Sequence, residues 1–243
     1  MSLSAKFKQA VKKTFHNVGL DLHRVNANAD LQLSKALTHF NIDIVFDVGA
    51  NRGQFASSLY SFGYQGHIVC FEPLSDAYQA LIKAALQNPH WKIHQRSAIG
   101  DFDGEVDINV ASNSASSSVL PMLELHTRAE AKSAYVGTEK VPIARLDSIA
   151  SDYLSPDNRL FIKIDTQGFE SQVLDGANDT LKKAKGLLCE LSIVPLYEGQ
   201  RLWLDMMQRI ESEGFTLWAI HPGFVDPRNG RTLQVDAIFF RTP

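Results

Sequence analysis

The chain has 243 residues, 44% hydrophobic and 21% charged, the balance of one large globular domain with room for a buried core. Its formal net charge of -3 offers nucleic acid no global field, and no apolar run reaches the length of a membrane span. Cys70 and Cys189 each sit in an apolar run, with neither a disulfide framework nor a zinc spacing around them, and the N-terminus has no signal-peptide core; a cytoplasmic protein with free thiols is expected.

Residues 5–16 carry Lys6, Lys8, Lys12 and Lys13, with Phe7, Val11 and Phe15 between them. This basic amphipathic segment reads as a surface helix packed on its own domain, with peripheral contact to an anionic membrane as the alternative. Residues 29–40 have helical spacing of Leu31, Leu33, Leu37 and Phe40. Residues 1–40 are therefore taken as an N-terminal helical segment before a domain spanning 41–243. Residues 43–48 form a short apolar strand, and a helix runs from Gly53 to Phe62 until Gly63 stops it. A second strand is HIVCFE at 67–72. Ser75 is the expected N-cap of a helix reaching about Gln87, where Asn88-Pro89 ends it. WKIHQR at 91–96 is the third strand.

The segment from about 101 to 145 departs from this rhythm. DFDGEVDINVA suggests an extra strand, ASNSASSSVL is serine-rich, 121–134 suggest a short helix, and Glu139–Arg145 suggest another strand. A polar insertion of this kind reads as a lid or binding loop, with Val119, Leu120, Met122, Leu123 and Leu125 as a docking face. His126 within it reads as solvated. Beyond it come a strand at 159–165, a helix from Glu170 to Lys183, a strand at 186–192, a helix from Leu202 to Glu213, and strands at 215–221 and 233–241. Alternating strands and helices imply a mainly parallel, doubly wound α/β sheet. The link between the last two strands has turn signals and no room for a helix, so those strands pair antiparallel.

Ligands of such sheets bind beyond the carboxyl ends of the strands. Those ends carry Asp47-Val48-Gly49, Glu72, Ser97, Asp165, Glu190 with Ser192, and His221. In VFDVGANRGQF (45–55), Gly49 allows a sharp turn, Asn51 tolerates a left-handed backbone, and Gly53 allows close approach at the helix start. The loop is neither G-x-G-x-x-G nor a P-loop. Glu72 lies where an acid accepts the hydrogen bonds of a ribose diol. Asp47 adds negative charge that suits an amino group and a sulfonium better than two phosphates. The ligand inferred is S-adenosylmethionine, although either acid could instead cap a helix or turn.

VFDVGANRGQF, CFEP, AIGDFDGEVDINV, the serine cluster, VPIARLDS and IKIDTQGFE resemble, in that order, the motifs of the FkbM-type methyltransferases, over roughly residues 40 to 195. The resemblance implies a class I methyltransferase (Rossmann-like) fold with an antiparallel C-terminal strand. It also implies S-adenosylmethionine-dependent O-methylation of a hydroxyl on a sugar or a polyketide-type product. It places Gly49, Asn51 and Gly53 along the methionine end of the cofactor, Glu72 on the ribose, and Ser97 and Ala98 beside the adenine. Gln54 and Pro73 neighbour them in the cofactor site, and Asp165 sits by the sulfonium and the acceptor. Gln167 departs from the family pattern, which has an acid there in many members.

An alcohol needs a base or a metal to take its proton. Asp165, Glu190 and His221 are the candidates, His221 for its ordinary pKa near neutrality. Asp165 and Glu190 could instead hold Mg2+. A buried ion pair between Lys163 and Glu190 is the structural alternative, and His221 could simply cap a loop. The acceptor is expected to be a small molecule or glycan, probed against three other readings: an NAD-dependent oxidoreductase, a non-enzymatic S-adenosylmethionine-binding protein, and a nucleic-acid methyltransferase. The last lacks basic excess and an Asp/Asn-Pro-Pro-aromatic turn, so nucleic acid is not expected as partner. A homo-oligomer is compatible with the sequence.

Overall fold

The computed structural model describes residues 3–17, 28–86 and 88–242. Helix α1 (Leu3–His16) leaves Phe7 71% and Phe15 38% exposed. Helix α2 (Ala29–His39) starts at Asn28, whose side chain accepts the Leu31 N–H, and buries Leu33, Ala36 and Leu37. Through them it shares a core with the first strands.

The helices and strands then alternate: β1 (Ile44–Val48), α3 (Gln54–Ser61), β2 (His67–Phe71), α4 (Ser75–Ala85), β3 (Trp91–Ile93) and β4 (Ala98–Ile99). Next come β5 (Gly104–Ala111), α5 (Glu124–Ala129), β6 (Tyr135–Ala144), α6 (Leu146–Ile149) and β7 (Leu160–Ile164). The chain finishes with α7 (Glu170–Asp175), α8 (Asn178–Lys183), β8 (Ala184–Ser192), α9 (Trp203–Ser212), β9 (Thr216–Pro222) and β10 (Gln234–Phe240). The main sheet has seven strands in the order β3-β2-β1-β7-β8-β10-β9. All pairs are parallel except those of β10, which is inserted antiparallel between β8 and β9. The doubly wound sheet with an antiparallel C-terminal strand is therefore the observed fold. The order reverses between β1 and β7, and the crevice outside their carboxyl ends is where such sheets take ligands.

Parity explains how the two faces are filled. On β1, Ile44, Phe46 and Val48 enter one core, while Val45 enters the other. Leu160, Ile162 and Ile164 of β7 join the first core, and Phe161 joins the second. Asp47 and Lys163 share the second face and are direct cross-strand neighbours.

Four local expectations change. Ser75 is the first residue of α4 rather than its N-cap; Leu74 holds the cap position, and the Ser75 N–H and hydroxyl both donate to Glu139. That helix ends at Ala85, and Gln87 lies outside the described residues. The third strand stops at Ile93, so Ser97 follows it by four residues and Ala98 opens a strand in a second sheet, β4-β6-β5. The helix expected over 170–183 is two helices, broken where Gly176 packs against Gly100. A Cβ on Gly176 would lie 1.8 Å from the Gly100 carbonyl oxygen, so only glycine permits this contact.

The insertion is a folded layer. Leu74, Ala77, Ala98, Ile108, Val141, Ile143 and Phe169 form its own small core, with Val119 and Leu120 against it. Met122 and Leu125 pack on Val194, Leu196, Tyr197 and Leu233. His126 is 2% exposed, against Tyr197 and Phe224, rather than solvated, and burial lowers its pKa to about 4.

Candidate active site

The loop between β1 and α3 is built from three left-handed residues: Gly49 (φ 77°), Asn51 (φ 48°) and Gly53 (φ 86°). Gly49 passes so close to β7 that a Cβ would lie 1.9 Å from the Asp165 carbonyl oxygen. Gly53 serves packing: a Cβ there would meet the Trp91 ring at 2.5 Å. It does not line the cleft, which corrects its expected place along the cofactor.

Lys163 fixes the loop from below. Its Nζ lies 3.1 Å from Asp47 and 3.4 Å from Asp165, and donates to the Gly49 carbonyl at 2.9 Å. Burial pulls the lysine pKa down, but Asp47 and Asp165 outweigh it and raise it above the ordinary value. Two expectations fall here. Asp47 is fully buried under the loop and faces Lys163 rather than the cleft. Lys163 pairs with Asp47 and Asp165, not Glu190, because the register sets Asp47, Lys163 and Leu188 side by side.

Two residues further along each strand, the same parity produces a transverse row at the carboxyl edge. It runs Glu72, Gly49, Asp165, Glu190, then Asp236 opposite Glu190 and His221 opposite Asp236. The row, Glu190 excepted, floors a cavity of about 310 Å3, of the size that takes a small ligand. Gly49, Asn51, Gln54, Glu72, Pro73, Ser97, Ala98, Asp165 and His221 line it.

Glu72 is 3% exposed and accepts from the Asn51 N–H at 2.7 Å with one oxygen and from the Leu74 N–H at 2.8 Å with the other. Each oxygen keeps a lone pair for a ligand hydroxyl. Burial pushes its pKa up to about 7 against these two bonds. The Ser97 hydroxyl, 2% exposed, has no partner among the described residues. Phe71, Leu74, Ala98, Ile99, Val119 and Phe169 supply apolar walls at this end.

The other end is built by side chains. Gln167, left-handed at φ 55°, donates one amide hydrogen to Asp165 at 2.9 Å and the other to Glu190 at 2.7 Å. Its own amide oxygen accepts from the Tyr197 hydroxyl at 2.9 Å. Gln234 gives Glu190 a second bond at 2.7 Å. Glu190 therefore stands behind the cleft; burial, then the charges of Asp165, Glu170 and Asp236, push its pKa well up. The site does not fit the expected Mg2+ on Asp165 and Glu190, because the Gln167 amide occupies the gap between their oxygens. No group of three or more His, Cys, Asp and Glu that could hold a metal exists among the described residues. His221 lies three strands from Asp165 and bonds Gln32 at 2.9 Å, and burial lowers its pKa.

The sequence reading missed Lys163 as the loop's support, Asp30 and Asp236 in the lining, and the serine wall. Ser114 donates to Asn51 at 3.1 Å, and Ser118 donates to the Gln167 carbonyl at 2.7 Å. The serine cluster signalled a loop near the site, but nothing local signalled Asp236.

The methyltransferase FkbM domain family matches residues 47–217. The match stops short of His221 and Asp236 and covers more than half of the chain. A curated relative, the 2-O-methyltransferase NoeI of Sinorhizobium fredii, is 25% identical over 177 residues, 69% of this chain and 72% of that one. Among solved structures, a Klebsiella pneumoniae protein assigned as an O-methyltransferase superposes with a TM-score of 0.50 at 11% identity, covering 97% of this chain and 89% of that one. An S-adenosylmethionine-dependent methyltransferase assignment from Listeria monocytogenes gives a TM-score of 0.47 at 10% identity, over 88% and 98% of the two chains.

Proposed function

The chain belongs to the FkbM methyltransferase domain family and is an S-adenosylmethionine-dependent O-methyltransferase, and from that premise we propose that it methylates a hydroxyl of a sugar in a glycolipid, glycan or glycosylated metabolite. The observation that carries the placement is the transverse row. It sets a buried acid, Glu72, and a half-buried carboxylate, Asp165, on either side of Gly49, in one cleft.

In this reading Glu72 holds the ribose hydroxyls, the loop Gly49–Asn51 receives the methionine end, and Ser97 with Ala98 and Ile99 borders the adenine. The donor supplies a methyl group on a sulfonium. Asp165 stands at the junction of the two ends and accepts the proton of the attacking hydroxyl as the new C–O bond forms and the C–S bond breaks. Lys163 and Gln167 hold the Asp165 carboxylate in place from two sides. His221 is a less suitable base: three strand spacings put it about 14 Å from the β7 end. It forms part of the acceptor wall. The sugar preference is supported by the family resemblance, and by the His221 imidazole in the lining at the far end, a hydrogen-bonding group for a polyol.

The test is transfer of a labelled methyl group from S-adenosylmethionine to a panel of methyl glycosides of neutral and amino hexoses, read by mass spectrometry. A mass gain of one methyl on a sugar oxygen supports the reading. Transfer confined to non-carbohydrate alcohols contradicts it.

A further inference from the structure

We propose that Asp236 and Asp30 make this protein hold the charged methyl donor more tightly than its neutral product, so that S-adenosylmethionine outcompetes S-adenosylhomocysteine for the cleft. The proposal rests on the cofactor placement above. The two ligands share adenine, ribose, ammonium and carboxylate; they differ by one methyl group and one positive charge on sulfur. Contacts made by Glu72 and the Gly49–Asn51 loop therefore cancel in the ratio of their affinities. What remains is the field that the cleft applies to the sulfur.

That field is negative. The lining carries Asp30, Glu72, Asp165 and Asp236 against one lysine, Lys163. Lys163 is itself shared between Asp47 and Asp165, so its charge is balanced from beneath before a ligand arrives. His221 is the other basic side chain in the lining, and burial biases it toward the neutral form. Asp236 is the least satisfied of the four. Its carboxylate makes no hydrogen bond or salt bridge to protein among the described residues, and its strand neighbours are Glu190 and His221. Asp30, in the first turn of α2, lines the same cleft and is held by the Ser58 hydroxyl at 2.6 Å.

Burying like charges costs free energy unless something positive enters. Glu72 and Asp165 are committed to hydrogen bonds or an ion pair, whereas Asp236 waits for a counter-charge. A sulfonium supplies that charge and a thioether does not. One consequence is weak product inhibition. Methyl transfer discharges the sulfur, and the same carboxylates that favoured the donor then contribute nothing to holding the product.

The test is calorimetric titration of the full chain and its Asp236→Asn and Asp30→Asn variants with S-adenosylmethionine and, separately, S-adenosylhomocysteine, at one pH and ionic strength. The wild type is expected to bind the donor about tenfold more tightly, the order for one charge meeting partly screened opposite charges. Each variant should lose affinity for the donor several-fold and keep its affinity for the product. Product binding as tight as donor binding in the wild type overturns the proposal. A parallel loss of both ligands in both variants also overturns it, since that is the signature of a structural defect. Glu72→Ala separates the two levels of the account. If it weakens both ligands equally while the wild-type ratio is near one, the placement stands and the electrostatic preference is wrong. If neither ligand binds the wild type, placement and preference fall together.

Discussion

The two ends of the cleft are made differently. At the donor end the ligand-facing groups are tied to backbone: Glu72 to the Asn51 and Leu74 N–H groups, and Lys163 to the Gly49 carbonyl. At the far end side chains hold one another, with Gln167 and Gln234 on Glu190 and His221 on Gln32, while the Asp236 carboxylate has no partner among the described residues. A backbone-tied end is preorganised for one ligand and changes little when a side chain changes. An end made of side chains can be retuned by single substitutions. The difference suits a fixed methyl donor at one end and a selectable acceptor at the other.

The sharpest way to break this comparison is at the junction. Asp165→Asn should lower turnover on an accepted glycoside by about 10²–10⁴-fold, the range of a general base, with S-adenosylhomocysteine affinity nearly unchanged. Intact turnover would make Asp165 structural. Beneath the donor end, Lys163→Met leaves Asp47 buried without its counter-charge and should cost about 3–5 kcal/mol in urea unfolding. Adding Asp47→Asn should recover most of that loss; no recovery would mean that the pair is not what holds the loop.

Glu170 offers a pH test next to the junction. Its Oε1 accepts from the Thr166 N–H and hydroxyl and the Gly168 N–H, and burial pushes its pKa up to about 7. The folded state therefore binds this proton more tightly than the unfolded chain does. The stability so gained is full below the unfolded value near 4.5 and is lost as pH rises through about 7. Wild-type protein should lose more stability between pH 5 and pH 8 than Glu170→Gln does. Equal losses would show that Glu170 titrates as an ordinary surface acid. The smallest effect is expected at His221: its alanine variant should shift the acceptor KM within about tenfold and leave kcat within about threefold. A drop of about 100-fold or more in kcat would make it the base after all.

The β1–β2 edge of the cleft was legible in the sequence because it is local. A β-branched run, two glycines with Asn51 between them, and an acid closing the next strand all lie within residues 45–72. The antiparallel ending was legible too, since turn signals left no room for a helix before β10. The far end was not. Asp236 meets Glu190 only through the register of two antiparallel pairings, and a shift of one residue would have turned it to the other face. Register likewise sent Lys163 to Asp47 rather than Glu190. His126 looked solvated because it lies in the polar insertion, and its burial comes from Tyr197 and Phe224, distant in the chain. The break between α7 and α8 depends on contact with Gly100, which no local pattern encodes.

The central claim is that the β1–β2 edge of the cleft holds the methyl donor through Glu72. Calorimetric titration of wild type and Glu72→Ala with S-adenosylhomocysteine, and of wild type with NAD, tests it most directly. The account predicts saturable binding of S-adenosylhomocysteine, weakened in Glu72→Ala by about 1–3 kcal/mol, the loss for a buried hydrogen-bonding group, and no binding of NAD. Unchanged affinity in the variant, or binding of NAD alone, would contradict it.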